Sequence, residues 1–473
     1  MAYTLPTPAV DRVTRYDAAR DAYMNAGIQS AALTAVDASG RAVESIEIPQ
    51  ATGSNLTSLM NLNHSFSSLD MAPPVLDLNY ADKMSLYGFE TYTCSTTQTY
   101  TDALGNTQTA AINTAAFDRI SVNGWLLPAG LKLSGDSKIA FNPVNILPVT
   151  GGYTVILDVN RPTSFSNSGN IFVLNDGTVA NRATIGINGN YQPTFLVQAG
   201  GVVNVNAALG DIQSWYGGTR TLAMSVVASG FAWSDGSRFG SSLSGGAPAA
   251  NTRTTLELGG GGFAGWISRI RFLPFALSPA NLIAVAAGPA PVATWGDSLT
   301  FGTGGTANTN YPETLRLVRI PRSGVYNGGV GGETSTQIKT RMIADSTRNS
   351  WTNVFWVGRN NITDVSVVMA DIAEMVAKLT HKRFLVLSVI NKSDGSEITG
   401  TTGYNQIAAI NAAIASTYPN NYLDVRTPLV AASGGANDQI GASYASDAIH
   451  LNSTGYQFVA NLVSARLRAK RWY

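Results

Sequence analysis

From about residue 288 onward the chain alternates near-continuous apolar runs with amphipathic ones, and no other feature restricts the fold so tightly. Pro291-Val-Ala-Thr-Trp295 runs as a strand into a Gly-Asp-Ser turn. Asn353-Val-Phe-Trp-Val357 and Arg383-Phe-Leu-Val-Leu-Ser-Val-Ile390 read as further strands, apolar on both faces, as a buried parallel sheet demands. Between these two, Val365, Val368, Met369, Ile372, Met375, Val376 and Leu379 fall on one face of a helix. Strand and helix alternating across 288–473 predict an α/β domain whose sheet is covered on both faces.

The rest of the 473 residues is too much for one compact core and divides into three further zones. Residues 1–65 are rich in Ala, Ser and Thr, with one expected helix near Pro8–Met24. Its apolar periodicity is modest, so the zone is expected to become ordered by assembling with copies of itself or with a larger structure. Residues 66–128 hold short, turn-bounded runs. Tyr100-Thr-Asp-Ala-Leu-Gly-Asn-Thr-Gln-Thr-Ala-Ala-Ile-Asn113 predicts a hairpin turning at Leu104-Gly-Asn106, with an extended strand after it. Residues 129–287 read as all-β: Tyr153, Val155, Leu157 and Val159 share one face of a half-buried strand, and short strands recur between Gly, Asn and Ser turns, predicting a sandwich.

Two of these zones resemble known families. The stretch from Tyr100 to Asn113, with Phe117-Asp-Arg119 and Gly124-Trp-Leu-Leu127, is similar to a connector of bacteriophage tail fibre and tailspike proteins, although Trp125 interrupts the usual Gly-Leu-Leu. Leu131-Lys-Leu-Ser-Gly-Asp-Ser-Lys-Ile-Ala-Phe141, Leu256-Glu-Leu-Gly-Gly260, Gly265-Trp-Ile-Ser-Arg-Ile-Arg-Phe272 and Leu277-Ser-Pro-Ala-Asn-Leu282 resemble a concanavalin-like (laminin-G-like) jelly roll. Such domains often hold carbohydrate; a packed spacer is the competing reading.

Charge and cysteine content narrow the function classes. The net charge is +1 and the charged fraction 13%, about half the usual share, so nucleic acid, which needs clustered Lys and Arg, is not an expected partner. The basic Arg466-Leu-Arg-Ala-Lys-Arg471 reads as a solvated helix end. A single cysteine, Cys94, rules out an intrachain disulfide and a Cys-rich metal site, and no metal or cofactor is expected. Met1-Ala-Tyr-Thr-Leu-Pro-Thr-Pro lacks the basic start and apolar run of a signal peptide, and no stretch approaches the length of a membrane span. Synthesis in the cytoplasm without membrane insertion is therefore expected.

Chemistry concentrates at the expected carboxyl ends of the α/β strands, where such sheets place their ligand crevice. Gly296-Asp-Ser-Leu299 puts Ser298 there, although Gly-Asp-Ser also makes ordinary turns and Gly135-Asp-Ser137 is a second copy. A serine nucleophile needs a base oriented by a third group, and there are three histidines. His64 lies in the Asn- and Ser-rich N-terminal region, and His381 between a helix and a strand at the edge remote from the carboxyl ends. His450 stands in Asp447-Ala-Ile-His450 before the closing helix, where Asp447 can reach its Nδ1 and leave Nε2 to the serine; a helix cap is the alternative. Asn327-Gly-Gly-Val-Gly-Gly332 is expected to open a helix at Glu333 with converging backbone N–H groups, and no Gly-Lys-Ser/Thr follows to make it a phosphate loop. Gly358-Arg-Asn-Asn361 offers Asn360 as an amide donor; either loop could equally be turn punctuation.

Taken together, Gly296–Leu299, the glycine block ending at Gly332, Gly358-Arg-Asn360 and Asp447–His450 resemble the four blocks of the SGNH (GDSL) hydrolase superfamily across the last 185 residues. The resemblance implies a flavodoxin-like three-layer domain with Ser298 as nucleophile, His450 as base and Asp447 as its orienter. It implies an oxyanion hole of Ser298 N–H, Gly332 N–H and the Asn360 side chain. Gly331-Gly-Glu333 and Asn361 depart from the usual Ser-Gly-Asp and final Asp at non-catalytic positions. For substrate contacts the first candidates are Arg359, then Trp295 and Tyr311, with Arg359 pairing Glu333 and Trp295 serving the core as the alternatives. With the tail-like connector, this implies a phage or prophage tail protein, a trimer touching other tail or baseplate proteins, that O-deacetylates host capsule or O-antigen polysaccharide from the virion. A lipase-type esterase with a β spacer and a catalytically silent glycan adhesin are the rival readings.

Overall fold

The computed structural model describes separate strands before residue 125, most of residues 125–318 and all of 323–472. The expected helix near Pro8–Met24, His64, Cys94 and the turn at 104–106 lie outside the described residues. The chain separates into two compact units, 1–72 and 73–473. In the first, Ala2–Thr4 pairs parallel with Ala31–Val36, which pairs antiparallel with Ala42–Ile48.

Among the described residues, the second unit before residue 273 is mostly antiparallel sheet, eight strands in one layer and nine in the other. The hairpin legs Thr97–Thr101 and Thr107–Asn113 pair with each other in the eight-stranded sheet, and Ala116–Val122 pairs with Trp125–Gly135 in the other. Both layers therefore draw strands from either side of residue 128. Their inner faces share one core, in which Leu157, Leu222 and Phe272 of one sheet meet Phe172, Ile185 and Leu258 of the other.

Tyr153–Arg161 departs from the half-buried strand expected. It lies between Gly218–Val227 and Gly262–Leu273, and only Asp158 in it is more than slightly exposed. Its second face is covered by the segment leading to helix α1 (Pro279–Ala287). There Thr154 Oγ1 donates to Phe275 O at 2.9 Å and accepts from Leu277 N at 3.0 Å, which satisfies a buried hydroxyl.

Beyond α1 the expected alternation appears as five parallel strands: β1 (Val292–Gly296), β2 (Val325–Gly329), β3 (Thr352–Trp356), β4 (Phe384–Leu387) and β5 (Tyr422–Leu423). Their order is β2-β1-β3-β4-β5, and the sheet reverses direction of growth beside β1. Successive residues point to opposite faces. Val292, Val354 and Leu385 join a core with helices α3 (Tyr311–Val318), α7 (Arg426–Ala432) and α8 (Ser453–Ala469). Ala293, Trp295, Phe355 and Val386 join another with α4 (Ser335–Ala344), α5 (Val365–Lys378) and α6 (Thr402–Thr417). On α5 the apolar face also buries Asp371, which Ser335 Oγ (2.6 Å), Thr336 Oγ1 (2.8 Å) and Lys339 (2.8 Å) satisfy. No helix among the described residues is long and apolar enough to cross a membrane.

Buried ions join the β-sandwich to the α/β domain. Arg220 of the sandwich pairs with Asp235 at 2.9 Å and reaches Glu313 of α3 at 3.4 Å. Glu313 also holds Arg316 at 2.6 Å, and Arg316 Nη1 returns to Thr219 O at 2.8 Å. Burial would raise the Glu313 carboxyl, but the Arg316 and Arg220 guanidinium groups outweigh it and hold it below its usual range. A second junction is made by Arg348, which stacks on Tyr326 with 3.8 Å to the ring centroid and donates to Ser237 O at 2.6 Å.

Candidate active site

The site starts from the sharp turn at the end of β1. Gly296 has no room for a side chain, since a Cβ there would stand 2.1 Å from Thr300 Oγ1 and 2.5 Å from Trp356 O. Asp297 then caps the four-residue helix α2 (Ser298–Phe301), its Oδ1 accepting from Leu299 N at 3.0 Å. Gly302, at φ +102°, closes α2 by donating to Ser298 O. Ser298 is thus the first residue of α2, at the carboxyl end of β1 and beside the reversal of strand order.

His450 comes to this serine from the far end of the chain. Its Nε2 lies 2.9 Å from Ser298 Oγ, and its Nδ1 lies 2.7 Å from Asp447 Oδ2. Asp447 and His450 sit in a turn closed by the Ala445–Leu451 bridge, where Asp447 Oδ1 accepts the backbone N–H groups of Ile449 and His450, each at 2.8 Å. The turn precedes α8, whose cap is Asn452. Gly304 lets the loop after α2 press against the turn, for a Cβ there would approach Ser446 Cβ to 2.7 Å and His450 Cβ to 3.0 Å.

The electrostatics agree with this chain of contacts. Partial burial alone would raise Asp447, but the His450 backbone N–H, its imidazole and the Ile449 N–H outweigh it and bring the carboxyl down to about 2. An ionised Asp447 accepts from Nδ1–H, which leaves Nε2 to accept the serine's proton. Asp297 is the opposite case: burial pushes it up to about 6, against the Leu299 N–H and the charges of Arg359 and His450.

Two loops complete the surroundings. A Cβ built on Gly331 would lie 4.0 Å from Ser298 Cβ, and Gly332 follows at φ +78°. The helix after this loop begins at Ser335, two residues later than expected, because Thr334 and Gln337 form a capping box there. Glu333 instead accepts from Arg341 Nε at 2.9 Å, and Arg341 Nη2 donates to Gly328 O at 2.9 Å, tying the loop to α4. In the turn after β3, Asn360 Nδ2 donates to Glu333 O at 2.9 Å and reaches Asp297 Oδ2 at 3.4 Å. Asn361 fastens the same turn to α4, its Nδ2 donating to Ser335 Oγ at 2.9 Å. The structure therefore gathers Ser298, His450, Asp447, the Gly332 loop and Asn360 at one end of the sheet.

The three expected substrate contacts are corrected. Arg359 is 7% exposed, and its guanidinium points inward to Ile390 O (3.1 Å) and Glu397 Oε1 (2.6 Å), not to Glu333. A buried guanidinium must satisfy its donors, and this pair does so. Trp295 is buried in the sheet with its Nε1 donating to Asn353 Oδ1 at 2.9 Å. Tyr311 has no exposed surface and sets its ring edgewise on Trp356. His381 Nε2 donates to Ser350 O at 2.8 Å in a loop before β4, away from the strand ends that carry Ser298. Asp297, read only as part of the motif, is the group sequence reasoning missed: it is 1% exposed and within electrostatic reach of Tyr311 of α3 and Tyr456 of α8, which lie far from it in the chain.

Residues 294–458 match the GDSL-like lipase/acylhydrolase family, a segment that holds Ser298, Asn360, Asp447 and His450. No curated protein matches the chain significantly. Among solved structures, similarity is found to a lipolytic protein of the G-D-S-L family from Desulfitobacterium hafniense DCB-2, with 20% identity over 38% of this chain and 99% of that one (TM-score 0.31). A lipase/acylhydrolase from Enterococcus faecalis is 13% identical over 38% of this chain and 96% of that one (TM-score 0.32). A GDSL-like lipase from Bacteroides ovatus ATCC 8483 is 11% identical over 71% of this chain and 84% of that one (TM-score 0.31). The C-terminal part of the chain is a GDSL/SGNH lipase-acylhydrolase domain, a hydrolase of the esterase class.

Proposed function

We propose that the protein hydrolyses esters through Ser298, His450 and Asp447, and that its substrate is an O-acetylated surface polysaccharide met by a phage or prophage tail. The observation that carries the ester chemistry is the unbroken relay from Asp447 Oδ2 through the imidazole to Ser298 Oγ, at 2.7 and 2.9 Å. Ser298 Oγ attacks the ester carbonyl carbon while its proton passes to His450 Nε2. The oxyanion that forms takes the backbone N–H groups of Ser298 and Gly332 and the Asn360 amide. Asn360 Nδ2 has one hydrogen held firmly by Glu333 O, while the other has only the long contact to Asp297 and can turn to the oxyanion. The imidazolium then gives its proton to the leaving alcohol, and water, deprotonated by the same nitrogen, releases the acid from the acyl-enzyme.

The polysaccharide and the virion setting are supported by the upstream chain. The Tyr100–Leu127 stretch resembles a tail-type connector, and residues 129–287 resemble a concanavalin-like jelly roll, a kind of domain that often holds carbohydrate. A tail that must cross a polysaccharide layer gains from an esterase anchored to it. In this reading the protein is a homotrimer held by other tail or baseplate proteins, and it acts without a cofactor.

The test is acetate release. Full-length protein is incubated with capsule and O-antigen preparations and, separately, with p-nitrophenyl acetate. The wild type is expected to release acetate from at least one polysaccharide, and Ser298→Ala to lose both activities by about 10⁴-fold or more while keeping its circular dichroism and size. Near wild-type turnover by Ser298→Ala would overturn the nucleophile. Hydrolysis of p-nitrophenyl acetate with no acetate from any polysaccharide would remove the substrate assignment alone.

A further inference from the structure

Five large apolar side chains are exposed among the described residues, and two of them, Phe301 at 50% and Val330 at 42%, belong to the segments that flank Ser298. Phe301 ends the short helix that Ser298 begins. Val330 stands in the glycine loop, where its N–H bonds to Gly296 O at 3.1 Å. The two segments are pressed together: a Cβ on Gly329 would lie 2.0 Å from Phe301 N, and Asn327 Nδ2 donates to Phe301 O at 3.3 Å. A single exposed apolar residue is ordinary. Two on the adjoining segments that frame a nucleophile make an apolar lip to its site.

The other flank of the serine carries exposed polar groups. There the His450 turn presents Ser446 and Asp447, both exposed, and Ser393 Oγ donates to Asp447 O at 3.3 Å. An alkyl chain would need apolar walls on both sides to leave water. A pyranose ring needs the mixture found here, because it has a C–H face that packs on an aromatic ring and hydroxyls around its edge.

We propose that Phe301, with Val330 beside it, is the platform on which the pyranose ring of the substrate lies while its ester faces Ser298. This rests on the esterase reading above and moves sugar recognition from Arg359, Trp295 and Tyr311 to the lip of the glycine loop. Phe301 and Val330 here determine specificity and take no part in proton transfer.

The probes are methyl tetra-O-acetyl-glucopyranoside, ethyl acetate and ethyl octanoate, followed by pH-stat titration. Phe301→Ala is expected to raise KM for the pyranoside about tenfold more than for ethyl acetate, with kcat little changed, and Val330→Ser to shift it in the same direction. Phe301→Tyr, which keeps the ring, should retain the low KM. Binding is read separately by saturation-transfer NMR with the same pyranoside on Ser298→Ala protein. There adding Phe301→Ala should abolish the transfer signal whether or not the wild type turns the sugar over, so a failed platform is distinguished from a failed esterase. An unchanged pyranoside KM, an equal loss on ethyl acetate, a loss confined to ethyl octanoate, or no transfer signal from the Ser298→Ala protein would each overturn the platform.

Discussion

Two aspartates next to the catalytic serine and histidine have opposite electrostatics, and the difference lies in what surrounds each. Asp447 is largely exposed and collects two backbone N–H groups and an imidazole, so it stays ionised across the working range. Asp297 is 1% exposed, and burial dominates. Its folded value, about 6, stands above the ordinary 3.8, so the folded state holds a proton that the unfolded chain has lost between those pH values. The sign follows: the group's burden is absent below about pH 3.8, grows as pH rises to about 6, and is full at neutrality, where it amounts to about 3 kcal/mol. Asp297→Asn keeps an oxygen for Leu299 N and removes the buried charge. It should raise unfolding free energy at pH 7.5 by up to that amount and leave it nearly unchanged at pH 4, as urea denaturation at the two pH values would show. Equal effects at both would mean that Asp297 acts through packing alone.

At the scale of elements, catalysis depends on how tightly short segments approach one another. The turn from β1 into α2 exists because Gly296 leaves space for Thr300 and the Trp356 carbonyl. Gly296→Ala must push one of them away, and backbone atoms of β3 do not yield cheaply. A loss of about 1–3 kcal/mol in stability is expected from such overpacking, with kcat falling more than KM rises because Ser298 leaves the reach of His450. Thermal unfolding together with steady-state kinetics on p-nitrophenyl acetate checks both halves. The glycine loop has its own anchor, with Arg341 binding both Glu333 and the Gly328 carbonyl, so the loop before α4 is held from the helix side.

At the scale of the whole molecule, the buried Arg220–Glu313–Arg316 group makes the sandwich part of the hydrolase's support. Glu313→Ala would leave two guanidinium groups buried without their shared carboxylate, a change that typically costs about 3–5 kcal/mol. Because the Glu313 carboxyl is held below its usual range, its contribution is present above the unfolded value of 4.5 and is lost as pH falls through the folded one. The variant should therefore melt well below the wild type at neutral pH, with the gap narrowing in acid. Calorimetry at several pH values would show it, and a gap that did not depend on pH would assign the effect to packing.

The last 185 residues are largely legible in the sequence, for local reasons. Apolar runs on both strand faces demand a covered parallel sheet, and Gly296–Leu299, Gly358–Asn360 and Asp447–His450 each place chemistry at a strand or helix boundary within a few residues. Helix α5 could be read from Val368, Ile372 and Met375, whose spacing is a property of the chain alone. Side-chain direction and burial could not, since both depend on segments far away in sequence. Arg359 is held inward by Glu397, 38 residues on, and Trp295 and Tyr311, aromatic residues on either side of the motif, are taken up by the cores on the two sheet faces. The same holds for the strand at Tyr153–Arg161, whose second face is closed by the chain near Phe275 and Leu277. Sequence determined which residues stand at the carboxyl ends of the strands. Tertiary packing decided which of them meet water and substrate, because exposure is settled by whatever else folds against them.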